Sequence, residues 1–133
     1  MLTQAQVDQF ARDGFLVVED LLDGDTLTRI RAEYSAKMDD LYAGWAEDGK
    51  VPAPTPDLDF WAKLDHCKSA GFDWYQPFDI SLPGSDITSG TPMHFGPAVF
   101  DMVTHRNILD MVECLIGPEF TSNPIQHLSL IHI

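Results

Sequence analysis

The sequence predicts an α+β fold, in which helices dominate and short strands lie near both ends of the chain. Three observations support this prediction. A capped helical segment ends at Gly14 and is followed by an apolar run at residues 15–18. A stripe of apolar residues with helical spacing occupies the next segment. Residues 119–133 alternate weakly between apolar and polar side chains. With 133 residues, the chain is one domain at most.

The first helix is indicated by residues at its two ends. Thr3 and Gln6 have the spacing of a capping box, in which each side chain accepts from the backbone N–H of the other residue. Gly14 stops the helix, because glycine adopts the left-handed conformation at little cost. Residues 15–18, Phe-Leu-Val-Val, are aromatic and β-branched and therefore predict a short buried strand.

The second helix is predicted by a long apolar stripe within residues 1–46. Asp23 or Asp25 is the expected cap at its start. Beyond the cap, six apolar residues recur at spacings of three and four, which places them on one face of a helix. These residues are Leu27, Ile30, Tyr34, Met38, Leu41 and Trp45. Such a stripe forms either core packing or a partner-binding surface, and we expect core packing.

The middle of the chain contains a loop, a short helix and an aromatic region. Residues 47–59 hold three alternate prolines and a glycine, which predicts an extended surface loop. Residues 60–68 predict a short helix with Phe60, Trp61 and Leu64 facing inward. In the irregular region 60–96, aromatic residues cluster after this helix, and we expect them to pack in the core. These residues are Phe72, Trp74, Tyr75 and Phe78.

Residues 97–117 predict two further helices. The first is one or two turns at residues 98–103, and Thr104 is the expected cap of the second. Gly117 and Pro118 end the second helix, because proline cannot continue it. Residues 119–133 predict the next strand, so the chain is interpreted as a single partial domain spanning residues 1–133.

The charge balance excludes several classes of partner. Acidic residues outnumber basic ones by 21 to 8, which gives a formal net charge of −13. Nucleic-acid and anionic-lipid binding both require basic surfaces, so we expect neither partner, and solubility is the simplest interpretation of the charge. No apolar run has the length of a membrane span, and no signal peptide is visible. Cys67 and Cys114 form no disulfide framework, so we expect a cytoplasmic protein.

Five histidines raise the question of a metal site. A non-haem iron site uses two histidines and one carboxylate, and His-x-Asp or His-x-Glu on a strand places two ligands on one face. None of the histidines has an acidic residue two positions later, and zinc-type spacings are also missing. We therefore expect no metal ligand and no catalytic residue within these 133 residues. The histidines are His66, His94, His105, His127 and His132.

The opening LTQAQVDQFARDGFLVVEDLLDGDTLTRIRAE resembles the start of the phytanoyl-CoA dioxygenase family, whose "F..DGF" signature is matched by Phe10 to Phe15. The later ILDMVECLIGPEFTSNPIQH is similar to the family helix that ends in "GPE" before the first barrel strand. The resemblance implies an Fe(II)- and 2-oxoglutarate-dependent dioxygenase on a double-stranded β-helix, a jelly-roll fold. The dioxygenase implied by this resemblance uses iron to hydroxylate a small organic substrate. Its iron ligands would lie beyond Ile133 of this sequence. The chain would then be an inactive N-terminal part.

The resemblance carries one cofactor residue over to this chain, Gln126. In relatives, a glutamine at this strand position helps to hold 2-oxoglutarate, since a neutral amide donates to a carboxylate. The other interpretation of Gln126 is a plain strand residue. Residues 128–133, LSLIHI, lack the basic residue usual in the family and resemble translated sequencing adapter, so we interpret them as partly non-native.

Two alternatives to the dioxygenase stay open. One is a complete small acidic α+β module that binds a basic partner. The other is a pseudoenzyme that has kept the helical half and lost the metal site. The identity of the substrate, the use of CoA thioesters and the oligomeric state are not specified by the sequence.

Overall fold

The computed structural model describes residues 2–78, 88–89, 94 and 96–121. Helices make up 62% of these residues, which contain no β-strand and form an all-α fold. The helices are α1 (Gln4–Asp13), α2 (Gly24–Glu47), α3 (Phe60–Ala70), α4 (Pro97–Val103) and α5 (Arg106–Ile116), with a single 3-10 turn at Gln76–Phe78.

The predicted α+β class, with the first strands of a jelly roll, is therefore wrong for the described chain. Residues 15–18 form no strand, and Phe15 and Val17 are 61% and 74% exposed instead of buried. Residues 119–121 form no strand either, and residues 122–133 lie outside the described part. Aromatic and β-branched residues favour a strand only where a neighbouring strand pairs with them, and the described residues offer none to residues 15–18.

Both predicted ends of α1 are confirmed. Thr3 Oγ1 accepts from the Gln6 backbone N–H at 3.4 Å, and Gln6 Oε1 accepts from the Thr3 N–H at 2.9 Å. These two bonds complete the capping box. Gly14 has φ 77° and donates its N–H to the Phe10 carbonyl at 2.9 Å, so it ends the helix in the left-handed conformation.

The cap of α2 is Asp23, one of the two residues predicted. Its Oδ1 accepts from the Thr26 backbone N–H at 2.7 Å. The pKa of Asp23 is lowered mainly by the hydrogen bond from the Thr26 backbone N–H and next by one from the Thr26 side chain. Both bonds stabilise the ionised carboxylate. The residues between α2 and α3 are not helical, as the prolines predicted, although Val51 is buried.

The predicted cap of α5 is wrong by one residue. His105 caps the helix, since its Nδ1 accepts from the Asn107 backbone N–H at 3.3 Å. Thr104 instead donates its hydroxyl to the Phe100 carbonyl at 2.7 Å, so this side chain completes the last turn of α4. Gly117 ends α5 as expected.

The chain divides into two compact units, and the first comprises Met1–Ile30 and Pro97–Asn123. Within it, α5 packs against α1 and against α4. Arg29 Nη1 lies 2.7 Å from Asp101 Oδ2 and joins the start of α2 to α4. Neither α1 nor α5 contains a buried residue, and the buried side chains described in this unit are Thr26 and Val99. The core of the first unit is therefore small.

The second unit, Arg31–Gly96 and Pro124–Ile133, holds the main hydrophobic core. The buried residues of this core are Met38, Tyr42, Val51, Cys67 and Phe78. Tyr34, Leu41 and Trp45 from the α2 stripe pack against them, which confirms that this part of the stripe faces a core. In the first unit, Leu27 is 39% exposed and only partly follows the prediction.

The aromatic residues that follow α3 also belong to this core. Phe78 is buried, and Phe72 and Trp74 are partly buried against the cluster, as predicted. Trp61 is 56% exposed, so its predicted inward orientation is wrong, and Tyr75 is 49% exposed. Trp61 directly follows Phe60, which packs against the core, and adjacent residues on a helix point to different faces.

Candidate functional site

One histidine–carboxylate pair lies in the second unit, between His94 and Glu33 of α2. His94 Nε2 donates to Glu33 Oε1 at 2.7 Å, and the two side chains are only 11% and 14% exposed. The ring of Tyr34 stands edge-on to the imidazole, with the centroids 5.4 Å apart. A shielded carboxylate fixes the tautomer of its histidine partner and orients the ring.

A second polar contact in this unit joins Tyr42 to His66. The Tyr42 hydroxyl lies 2.7 Å from His66 Nδ1, and the Tyr42 side chain is fully buried. Burial raises the pKa of Tyr42, and burial also raises the pKa of the neighbouring Cys67 thiol. Because the thiolate is the reactive form of cysteine, a buried thiol with a raised pKa is a poor nucleophile. Tyr42 and Cys67 both belong to the core cluster of this unit.

The third described histidine, His105, has a structural role in the first unit. It caps α5, and its Nε2 lies 3.8 Å from Asp23 Oδ2. His66, His94 and His105 thus each have a different partner. Within the described ranges, no three His, Cys, Asp or Glu side chains are grouped so that they could hold a metal ion. The described residues therefore do not fit an iron site, which needs two histidines and a carboxylate together.

The remaining residues considered from the sequence lie outside the described part of the chain. They are Gln126, the residue expected to hold 2-oxoglutarate, and the histidines His127 and His132. Their roles stay predictions.

The first unit contains a groove between α1, the segment that follows it, and α5. We call it the α1–α5 groove, and its volume is about 280 Å³. Its apolar lining consists of Leu2, Val18, Leu21 and Met111. Its polar lining consists of Gln6, Glu19, Asp20, Asn107 and Asp110. Asn107 donates its side-chain N–H to the Leu21 carbonyl at 2.9 Å and so holds α5 against the segment after α1.

Among the described residues that line the α1–α5 groove, the charged groups are carboxylates, and none is a lysine or arginine. Asp110 pairs with Arg106 one helical turn away at 2.7 Å. Glu19 and Asp20 are exposed and have no ion pair with any other described residue. Asp20 adopts φ 53°, a left-handed conformation that aspartate and asparagine tolerate better than other residues with side chains.

The surroundings of the groove are also acidic. The first unit has ten acidic residues, three arginines and no lysine. Each arginine is already paired inside the unit: Arg12 with Asp13 at 2.8 Å, Arg29 with Asp101 and Arg106 with Asp110, both at 2.7 Å. The unit therefore presents uncompensated negative charge at its surface.

Sequence patterns did not indicate the α1–α5 groove or the His94–Glu33 pair. The groove joins residues 2–21 to residues 107–111, and Glu33 is separated from His94 by 61 residues. Local periodicity and cap motifs report only on neighbours along the chain. By contrast, the cap interaction of Asp23 joins residues three positions apart and has a local sequence pattern.

Comparisons with known proteins give no relative for this chain. No family model, no curated protein and no solved structure matches it. Among the described residues, no helix has both the length and the apolar character required to cross a membrane.

Proposed function

We propose that this chain is the N-terminal part of a non-haem Fe(II)- and 2-oxoglutarate-dependent dioxygenase that hydroxylates a small organic substrate. The match of Phe10 to Phe15 to the "F..DGF" signature is the observation that carries the proposal. The structure gives this spacing a physical reason. The Phe10 carbonyl accepts from the Gly14 N–H, and Gly14 has the positive φ that favours glycine. The signature thus coincides with a helix end that its residues specify.

The cofactors belong to the longer protein in this proposal. The described residues do not fit iron, so no step of the reaction is assigned to them. Gln126 is the one residue proposed to contact 2-oxoglutarate, by donating from its amide to a carboxylate of the co-substrate. The proposed protein acts in the cytoplasm on a small molecule, and neither nucleic acid nor membrane is a partner. The two free cysteines, Cys67 and Cys114, are compatible with a reducing compartment.

The reading frame of the native gene, downstream of the native residues of this chain, provides the first test. We expect it to continue and to encode His-x-Asp or His-x-Glu, followed by a distal histidine. The product of the continuous frame should then consume 2-oxoglutarate and release succinate when Fe(II) is supplied. Replacing the histidine of His-x-Asp or His-x-Glu with alanine should abolish this turnover, because the iron loses a ligand.

The other outcomes distinguish the alternatives. A frame that continues without such a motif, and a product that does not turn over 2-oxoglutarate, would indicate a pseudoenzyme. A native stop codon directly after Ile133 would indicate a complete small acidic binding module. Either result contradicts the dioxygenase proposal.

A further inference from the structure

We propose that the α1–α5 groove docks a basic amphipathic peptide segment, with the apolar side chains of the peptide against the apolar lining residues and its lysine or arginine head groups at Glu19 and Asp20. This inference does not depend on the dioxygenase proposal, because it rests on the first unit alone.

The lining of the groove has the two parts that such a segment requires. Leu2, Val18, Leu21 and Met111 supply apolar surface, and burying it against apolar side chains or against the aliphatic stem of a lysine is favourable. Glu19 and Asp20 supply negative charge that no described residue neutralises. The occupant is therefore apolar on one side and cationic on the other.

Charge complementarity selects this occupant over a second copy of the chain. All three arginines of the first unit are already paired with its own aspartates, and the whole chain has a net charge of −13. Two such chains repel each other, and neither offers the groove of the other a free arginine from its first unit. The negative charge of the first unit instead attracts a basic partner, which accelerates its association and favours its bound state.

Fluorescence anisotropy of the full 133-residue chain with a labelled lysine–leucine peptide tests the proposal. We expect saturable binding that weakens when the lysines of the peptide are replaced by glutamine and also when its leucines are replaced by serine. The double variant Glu19→Gln, Asp20→Asn should bind about tenfold more weakly, since two exposed charge contacts are lost. Asn at position 20 tolerates the positive φ, so the fold should be retained.

The matched control is the double variant Glu113→Gln, Glu119→Gln. It removes the same two charges from exposed positions of the same unit, and neither residue lines the groove. We expect it to bind the peptide within about twofold of the unmodified chain. Equal weakening in both double variants means that diffuse charge is responsible and overturns the docking site. No saturable binding by the unmodified chain also overturns it.

Two further measurements separate the other occupants. Butylamine carries the head group of lysine without a peptide, and displacement of the labelled peptide by low millimolar butylamine would assign the groove to a free amine. Sedimentation velocity of the unlabelled chain tests for a second copy as the occupant. Self-association that the peptide does not reverse would assign the groove to a second copy. Either result overturns the peptide proposal. A monomer from which butylamine displaces no peptide supports it.

Discussion

Met38→Ala tests whether the core of the second unit is closed around α2. Met38 is 0% exposed and packs in the cluster with Tyr42, Cys67 and Phe78. The substitution removes Cγ, Sδ and Cε from this cluster. At about 0.8 kcal/mol for each of the two buried carbons, and a smaller amount for the sulfur, the lost transfer energy is roughly 2 kcal/mol. The cavity left behind raises the expected loss of unfolding free energy to about 3 kcal/mol.

Leu27→Ala is the matched control, because Leu27 belongs to the same apolar stripe and the same helix. Leu27 is 39% exposed, so its truncation should cost about 1 kcal/mol or less. Met38→Leu should also cost less than about 1.5 kcal/mol, since it nearly conserves volume. The sequence pattern alone treats Met38 and Leu27 as equivalent, whereas the structure separates them.

Urea denaturation provides the measurement, followed by tryptophan fluorescence and by far-ultraviolet circular dichroism. Trp45, Trp61 and Trp74 all lie in the second unit, so fluorescence reports on the unit that contains Met38. Circular dichroism reports on the helices of both units. It is therefore the measurement for the Leu27 variant, because Leu27 lies in the first unit. Equal losses in the Met38 and Leu27 alanine variants, or a loss below about 1 kcal/mol at Met38, would refute the closed core.

Three other predictions concern a buried hydroxyl, alkaline pH and two glycines. Tyr42→Phe should lower the unfolding free energy in urea by about 1 kcal/mol, because His66 loses its hydrogen-bond partner. Burial raises the pKa of Cys67 above its usual 9.0 and that of Tyr42 above 10.0, so these two groups should leave stability unchanged from neutral pH to about pH 9 and lower it as the pH rises further, with a later onset in Cys67→Ala. A titration of urea midpoints against pH that stays flat to strongly alkaline values would contradict this. By circular dichroism melts, Gly14→Ala should destabilise the chain by about 1 kcal/mol because of its positive φ, whereas Gly44→Ala in α2 should stabilise it by up to about 1 kcal/mol.

Helices with local cap motifs were predictable from the sequence. Thr3, Gln6 and Gly14 define α1 through contacts within a few residues, and these contacts are present in the structure. Gly117 ends α5 with a similar local contact, in which its backbone N–H donates to the Glu113 carbonyl. Such contacts depend only on the order of residues along the chain, so a sequence pattern contains the information needed to predict them.

The errors have two causes, the lack of a pairing strand at residues 15–18 and a competing hydrogen bond at Thr104. Residues 15–18 have strand composition, but strand formation needs a pairing neighbour, which composition does not specify. Thr104 and His105 are adjacent residues that could each cap α5. The Thr104 hydroxyl instead donates a hydrogen bond to the Phe100 carbonyl of α4. His105 therefore caps α5. A sequence pattern for α5 alone does not include the hydrogen bond that Thr104 makes to α4.

Buried side chains are distributed unequally between the two units, and we expect this inequality to decide where proteases cut the chain. Proteases cut where backbone opens locally, and opening is easiest where few apolar side chains are buried. The segment between α1 and α2 exposes Phe15 and Val17 and belongs to the first unit, whose described buried residues are Thr26 and Val99. We expect cleavage there to release α1 and to leave the cluster around Met38 protected, because that cluster contains no residue of α1.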